Sequence, residues 1–117
     1  MKTLQLAACA ALLATPALAE TSSTLQAVTT RGVVMQTRFG FDVPITYAAD
    51  GTFTAQPPGQ SVSGTWRIVD GRTLCTRLGA DPTETCATYP DGKQAGDAFE
   101  LDGAMGEALG KVTVRIR

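Results

Sequence analysis

The chain has 117 residues, 44% of them hydrophobic, with 10 basic residues against 11 acidic ones and no histidine. That length suits one small domain, and the near-neutral balance excludes a nucleic-acid surface, which needs clustered Lys and Arg. The lack of histidine excludes Ser-His-Asp and Cys-His catalysis and removes the commonest zinc ligand.

Residues 1–19 read as a secretory signal peptide. Lys2 supplies a short positive region, an apolar run follows, and Ala17-Leu18-Ala19 forms a small-x-small cleavage site before Glu20. The run is too short for a membrane span, and it has no polar face to suit a helix of a folded domain. Leu6-Ala7-Ala8-Cys9 has the composition of a lipidation box. Such a box follows the apolar run, however, and here most of the run comes after Cys9, which speaks against lipid attachment. Cleavage after Ala19 removes one base, Lys2, and no acid, so the formal net charge moves from −1 to −2. Residues 20–117 then form a single β domain, expected to be periplasmic or secreted. No later apolar stretch is long enough to cross a bilayer, so no stable membrane insertion is expected. Arg31, Arg38, Arg67, Arg72 and Arg77 are scattered, so no nucleic-acid partner is expected either.

Residues 22–30 are ambiguous. Leu25 and Val28 are spaced by three and Ser22 or Ser23 can cap, which allows a single helical turn. From residue 33 the pattern becomes alternating. VVMQTRFGF places Val33, Met35, Phe39 and Phe41 on one parity. PITYAA and TFTAQ flank Asp50-Gly51, and SVSGTWRIV and RTLCTRL flank Asp70-Gly71. Asp-Gly suits a type I′ turn, whose central residues both need positive φ, so each flanked pair is predicted to be a hairpin. TCATYP puts Ala87 and Tyr89 on one parity and Cys86 on the other. AFELD turns Phe99 and Leu101 inward and Glu100 and Asp102 outward. Residues 103–110 read as a short helix or a loop. KVTVRIR is the cleanest strand, with Val112, Val114 and Ile116 on one face. QPPGQ, LGADPTE and PDGKQAGD read as loops.

These segments give about eight short strands, an estimate from alternation and turn signals. Short connections make sequential strands antiparallel. The prediction is an all-β fold, a small antiparallel meander closed into a barrel or folded as a two-sheet sandwich. Its inner face would hold Phe39, Phe41, Tyr47, Phe53, Trp66, Tyr89 and Phe99. An eight-stranded barrel has room inside for side chains or for one small ligand. With so many aromatics assigned to it, the interior is expected to be packed.

Cys75 and Cys86 remain after cleavage, and an even count in an exported chain argues for a structural disulfide. Parity supports it. Val62, Trp66 and Ile68 share a face, Leu74 and Leu78 would be core on the next strand, and Cys75 then points outward. Cys86 is likewise opposite Ala87 and Tyr89. Two outward cysteines on neighbouring strands can be bridged. A redox pair would instead sit as C-x-x-C at a helix start, and a metal site needs more ligands.

Little catalytic chemistry is legible. There is no G-x-S-x-G and no phosphate-cradling glycine loop. Asp97, Glu100 and Asp102 could be considered for carboxylate-based hydrolysis, but Glu100 and Asp102 fall on the outer face and read as solvated. Asp91-Gly92-Lys93 offers too few oxygens for a calcium loop. Trp66 reads as a core aromatic, with pocket lining as its alternative role. No catalytic, cofactor-binding or metal residue is assigned, and no cofactor is expected.

The pattern Y-x-x-DGT, G-x-W, LC and a second Cys is carried by Tyr47, Asp50, Gly51, Thr52, Gly64, Trp66, Leu74, Cys75 and Cys86. It resembles small exported proteobacterial β-domain proteins of uncharacterised role, over roughly the middle half of residues 20–117. The resemblance implies a periplasmic all-β domain with a disulfide, and implies no activity. The functional expectation is a non-enzymatic binding domain for a small apolar ligand or a protein partner. The alternative is an inhibitor of a secreted hydrolase, a lysozyme or a protease, presenting the loop of residues 78–85 pinned by the disulfide.

Overall fold

The computed structural model describes residues 20–117; the expected signal segment 1–19, with Cys9, lies outside the described residues. The first element is a helix, α1 (Ser23–Arg31), longer than the single turn that the sequence allowed. The Ser22 hydroxyl accepts from the Leu25 amide at 3.1 Å and so caps one of the free N–H groups of the first turn. Leu25 and Val28 are fully buried on one face. Gly32, at φ +80°, ends the helix and donates to the Val28 carbonyl, and a Cβ there would meet the Ile45 carbonyl at 2.8 Å.

Eight strands follow: β1 (Val33–Gln36), β2 (Asp42–Tyr47), β3 (Thr52–Ala55), β4 (Val62–Val69), β5 (Thr73–Leu78), β6 (Thr85–Thr88), β7 (Ala98–Asp102) and β8 (Lys111–Ile116). They form one antiparallel sheet in the order β6-β5-β4-β3-β2-β1-β8-β7. The first six strands make a meander. β8 then returns to β1, with Val33 opposite Ile116 and Met35 opposite Val114. The result is a nearly closed barrel rather than two packed sheets. β6 and β7 stand at the two edges of the seam, which is bridged by Tyr89 and Phe99, their rings edge to face at 5.8 Å.

Inward positions follow strand parity. Val33, Met35, Val43, Ile45, Phe53, Ala55, Leu74, Ala87, Leu101, Val112, Val114 and Ile116 join Leu25 and Val28 in one core cluster. The helix lies across the barrel end where β2, β4, β6 and β8 finish. Its cap residue Ser22 donates its amide to the Gly71 carbonyl, and the Thr24 hydroxyl accepts from the Lys93 amide. The β4–β5 turn and the β6–β7 loop are thereby tied to the helix, which closes that end as a floor.

Three expectations are corrected. Phe39 is 62% exposed, because VVMQTRFGF is two pieces rather than one strand. Gly40 at φ +93° donates to the Thr37 carbonyl and reverses the chain there, which throws Phe39 outward under the Arg38 guanidinium. Phe41, Tyr47, Trp66 and Phe99 do pack against the core as expected, though only half-buried, while Phe53 and Tyr89 are the buried aromatics. Leu78 keeps the inward parity but is 51% exposed, since it stands beyond the rim. The two Asp-Gly turns also differ from each other. Asp70 and Gly71 both have positive φ, as a type I′ turn requires. At the other turn only Gly51 does; Asp50 instead accepts from the Thr52 amide and hydroxyl at 3.0 and 2.7 Å.

Candidate ligand-binding cavity

The barrel interior is hollow in its half away from the helix. A cavity of about 340 Å³ lies there, at the small end of the roughly 300–1,000 Å³ range of small-molecule sites. The expected packed interior is thus overturned, for a physical reason. Phe39 has left the barrel, and Trp66 and Phe99 pack low, near the floor. Higher up, the inward positions are small: Ala55 on β3, Thr76 on β5, and Thr85 and Ala87 on β6. Gly64 on β4 leaves space that the opposite Phe53 ring takes up.

The wall between floor and mouth is mostly apolar, with Met35, Val43, Ile45, Ala55, Leu74 and Ala87 facing the void beside Thr76 and Thr85. The mouth lies between three loops. Gln60 comes from the β3–β4 loop, Asp81 and Thr83 from the β5–β6 loop, and Met105 and Leu109 from the β7–β8 loop. That last loop contains a single 3-10 turn, Glu107–Leu109, and is pinned at its base by the Gly103 amide on the Gly110 carbonyl. Arg38 Nη2 reaches the Ala108 carbonyl at 3.3 Å, joining the β1–β2 turn to it.

Tyr47 and Tyr89 form the deep end. Both face the cavity, and Tyr89 is only 2% exposed. Each hydroxyl lies close enough to affect the ionisation of the other. Burial pushes both phenols well above their ordinary range, chiefly because the charged form would lose its hydration, and for Tyr89 the neighbouring Tyr47 adds to the effect. Both therefore stay neutral through the physiological range. Trp66 sits beneath them rather than in the cavity wall. Its indole Nε1 donates to the Ala48 carbonyl at 3.0 Å, and its ring meets Tyr47 edge-on at 5.9 Å.

The cysteines predicted from parity stand opposite each other in the β5–β6 register and are joined in a disulfide on the outer face. Cys75, Glu84 and Cys86 are the one group of three metal-capable side chains close together among the described residues. Their ligand atoms are already committed: the sulfurs to each other, and the Glu84 carboxylate to Arg67 through two hydrogen bonds of 2.7 Å. Those bonds hold the Glu84 carboxyl below its ordinary range. Glu100 and Asp102 point outward, and Glu100 faces Lys111 at 3.9 Å. The Asp97 carboxylate accepts from the Gln94 amide within the β6–β7 loop. The structure does not gather these three acids into a cleft. The Tyr47–Tyr89 pair was missed in the sequence, although both tyrosines had been placed on the inner face. No helix among the described residues is long and apolar enough to cross a membrane. No protein-family model, curated protein or solved structure matches the chain, so the cavity geometry is the ground for a functional reading.

Proposed function

We propose that this protein is an exported, non-enzymatic binding domain that holds one small apolar molecule inside its barrel. The observation that carries the reading is the hollow upper half of the barrel, mostly apolar in its wall and closed below by α1. A void of this kind leaves its lining without contact partners, and an apolar guest restores them while losing its own hydration. Periplasmic or extracellular placement rests on residues 1–19 and is supported by the disulfide, which persists in oxidising compartments.

The test is titration of the purified protein with a neutral fluorescent apolar probe, N-phenylnaphthylamine, alongside the variant Ala87→Phe. Ala87 lies on the cavity wall, so the added ring occupies the void. Saturable binding by the wild type, lost in a variant that still melts cooperatively, supports the reading. No saturable binding by the wild type, or binding unaffected by the filled cavity, overturns it.

A second reading has its own observation. The loop of residues 78–85 is held by the disulfide at its base and by internal bonds, the Asp81 amide to the Leu78 carbonyl and the Thr83 amide to Asp81 Oδ1. A fixed loop with an exposed Leu78 suits inhibition of a secreted hydrolase. Inhibition of a lysozyme or protease that disappears when the loop is replaced by glycine and serine would favour it.

A further inference from the structure

The cavity has polar groups at its mouth, at its bottom and at two threonines between them. At the mouth stand Gln60, Asp81 and Thr83, all exposed. At the bottom stand the two tyrosine hydroxyls, and Thr76 and Thr85 lie on the wall between. No lysine or arginine lines the void, and its one charged residue, Asp81, is at the entrance. A carboxylate or sulfate carried to the bottom would lose its hydration with no cation to meet it. An ammonium would face two neutral phenols far from Asp81 and fare no better.

The deep end nevertheless asks for a polar partner. Two phenol hydroxyls carry two O–H donors between them, and each affects the ionisation of the other, but pairing with one another could use at most one. Among the described residues no carbonyl or carboxylate takes the second. A buried donor without an acceptor is costly, so it is satisfied by water or by a guest.

Resting on the binding-domain reading above, we propose that the Tyr47–Tyr89 pair is the recognition point of the cavity, and that the guest is an uncharged amphiphile. Its apolar body fills the wall region, and its single neutral oxygen, an alcohol, ketone or ester, accepts the free phenol proton at the bottom. The molecule thus enters polar end first, and affinity depends on one hydrogen bond made in a water-poor place.

The experiment is displacement of N-phenylnaphthylamine by four probes of matched length: decane, decanol, methyl nonanoate and decanoate. Wild type, Tyr47→Phe, Tyr89→Phe and the double variant Tyr47→Phe/Tyr89→Phe are compared, with a thermal melt of each. Decanol and methyl nonanoate are expected to displace the probe about tenfold better than decane, the worth of a hydrogen bond of about 1.4 kcal/mol. Decanoate is expected to be weaker than decanol at neutral pH. Each single Tyr→Phe change leaves one phenol donor and part of the preference, whereas the double variant should erase the preference over decane while leaving decane itself unchanged. Equal affinity for decane and decanol, a preference that survives the double variant, or decanoate as the tightest probe would overturn the proposal while leaving the cavity reading standing. Failure of the wild type to bind the fluorescent probe at all would remove the cavity reading and this proposal with it. The wild-type ranking can overturn the proposal without any variant, and the two single variants, each expected to weaken the preference, stand in should the double variant fail to fold.

Discussion

The disulfide offers the sharpest test of how this small barrel is stabilised. Cys75 and Cys86 close a loop with a sequence separation of 11. In the chain-entropy account, closing a loop of that size removes freedom from the unfolded chain worth about 3 kcal/mol. A domain of this size shifts its melting temperature by roughly 4–8 °C per kcal/mol, so full reduction should lower Tm by about 12–24 °C. The assay is a circular-dichroism melt of the same protein with and without reductant, which leaves the sequence untouched. Cys75→Ala/Cys86→Ala is the companion variant, with alanine chosen because a serine at the buried position 75 would bring in a hydroxyl. The effect should also reach the cavity. β6 has one sheet neighbour, β5, and the bridge ties the two together while β6 carries Thr85 and Ala87 on the cavity wall. Coincident melts of the oxidised and reduced forms would refute the reasoning.

Three further outcomes follow from the same geometry. The chain contains two tyrosines, both at the deep end of the cavity, so ultraviolet titration of phenolate reports on that pair alone. Since their folded pKa values are raised, their contribution is fully present below the ordinary tyrosine value of about 10 and is lost as pH climbs above it; phenolate should form only as the fold is lost, and ordinary titration with the fold intact would contradict this. Gly64→Ala would set a Cβ against the Arg77 carbonyl oxygen and 2.7 Å from the Phe53 ring, forcing β4 and β5 apart; a loss of about 3 kcal/mol in urea unfolding is expected, and a neutral result would mean that the strands separate freely. Leu25→Ala removes a fully buried side chain from the barrel floor and should cost about 2–5 kcal/mol by the same measurement, with an unchanged midpoint showing that the helix is not structural.

Period-two alternation carried most of the architecture into the sequence. Cys75 and Cys86 could be placed on one outer face because Leu74 and Ala87, their immediate neighbours, are apolar and pair with each other. The same logic misplaced Phe39, whose parity with Met35 holds only if the backbone stays extended; Gly40 bends it at Thr37–Gly40, and a glycine within an apolar run signals this only weakly. Asp50-Gly51 was misjudged as a turn type because the Asp50 side chain binds Thr52 rather than adopting a left-handed backbone. The cavity was harder. Counting aromatics predicts a full interior, but volume depends on height along the barrel, and small residues concentrate near the mouth while rings gather near the floor. That distribution depends on strand register, which parity alone does not supply.

The return of β8 to β1 has a kinetic consequence. Strands β1 to β6 meet their neighbours through short turns and can pair as soon as each hairpin exists. β1, however, gains its second neighbour only when Ile116 arrives opposite Val33, from almost the far end of the described chain. Until that moment the curled meander presents Val33, Val43 and Ile45 to water, along with two unpaired edges. Long-range closure of this kind places the rate-limiting step late and makes folding slow, in the millisecond-to-second range typical of β barrels. The period of greatest exposure to misassociation is therefore the wait for the eighth strand, and residues 111–117 act as the closing piece that ends it.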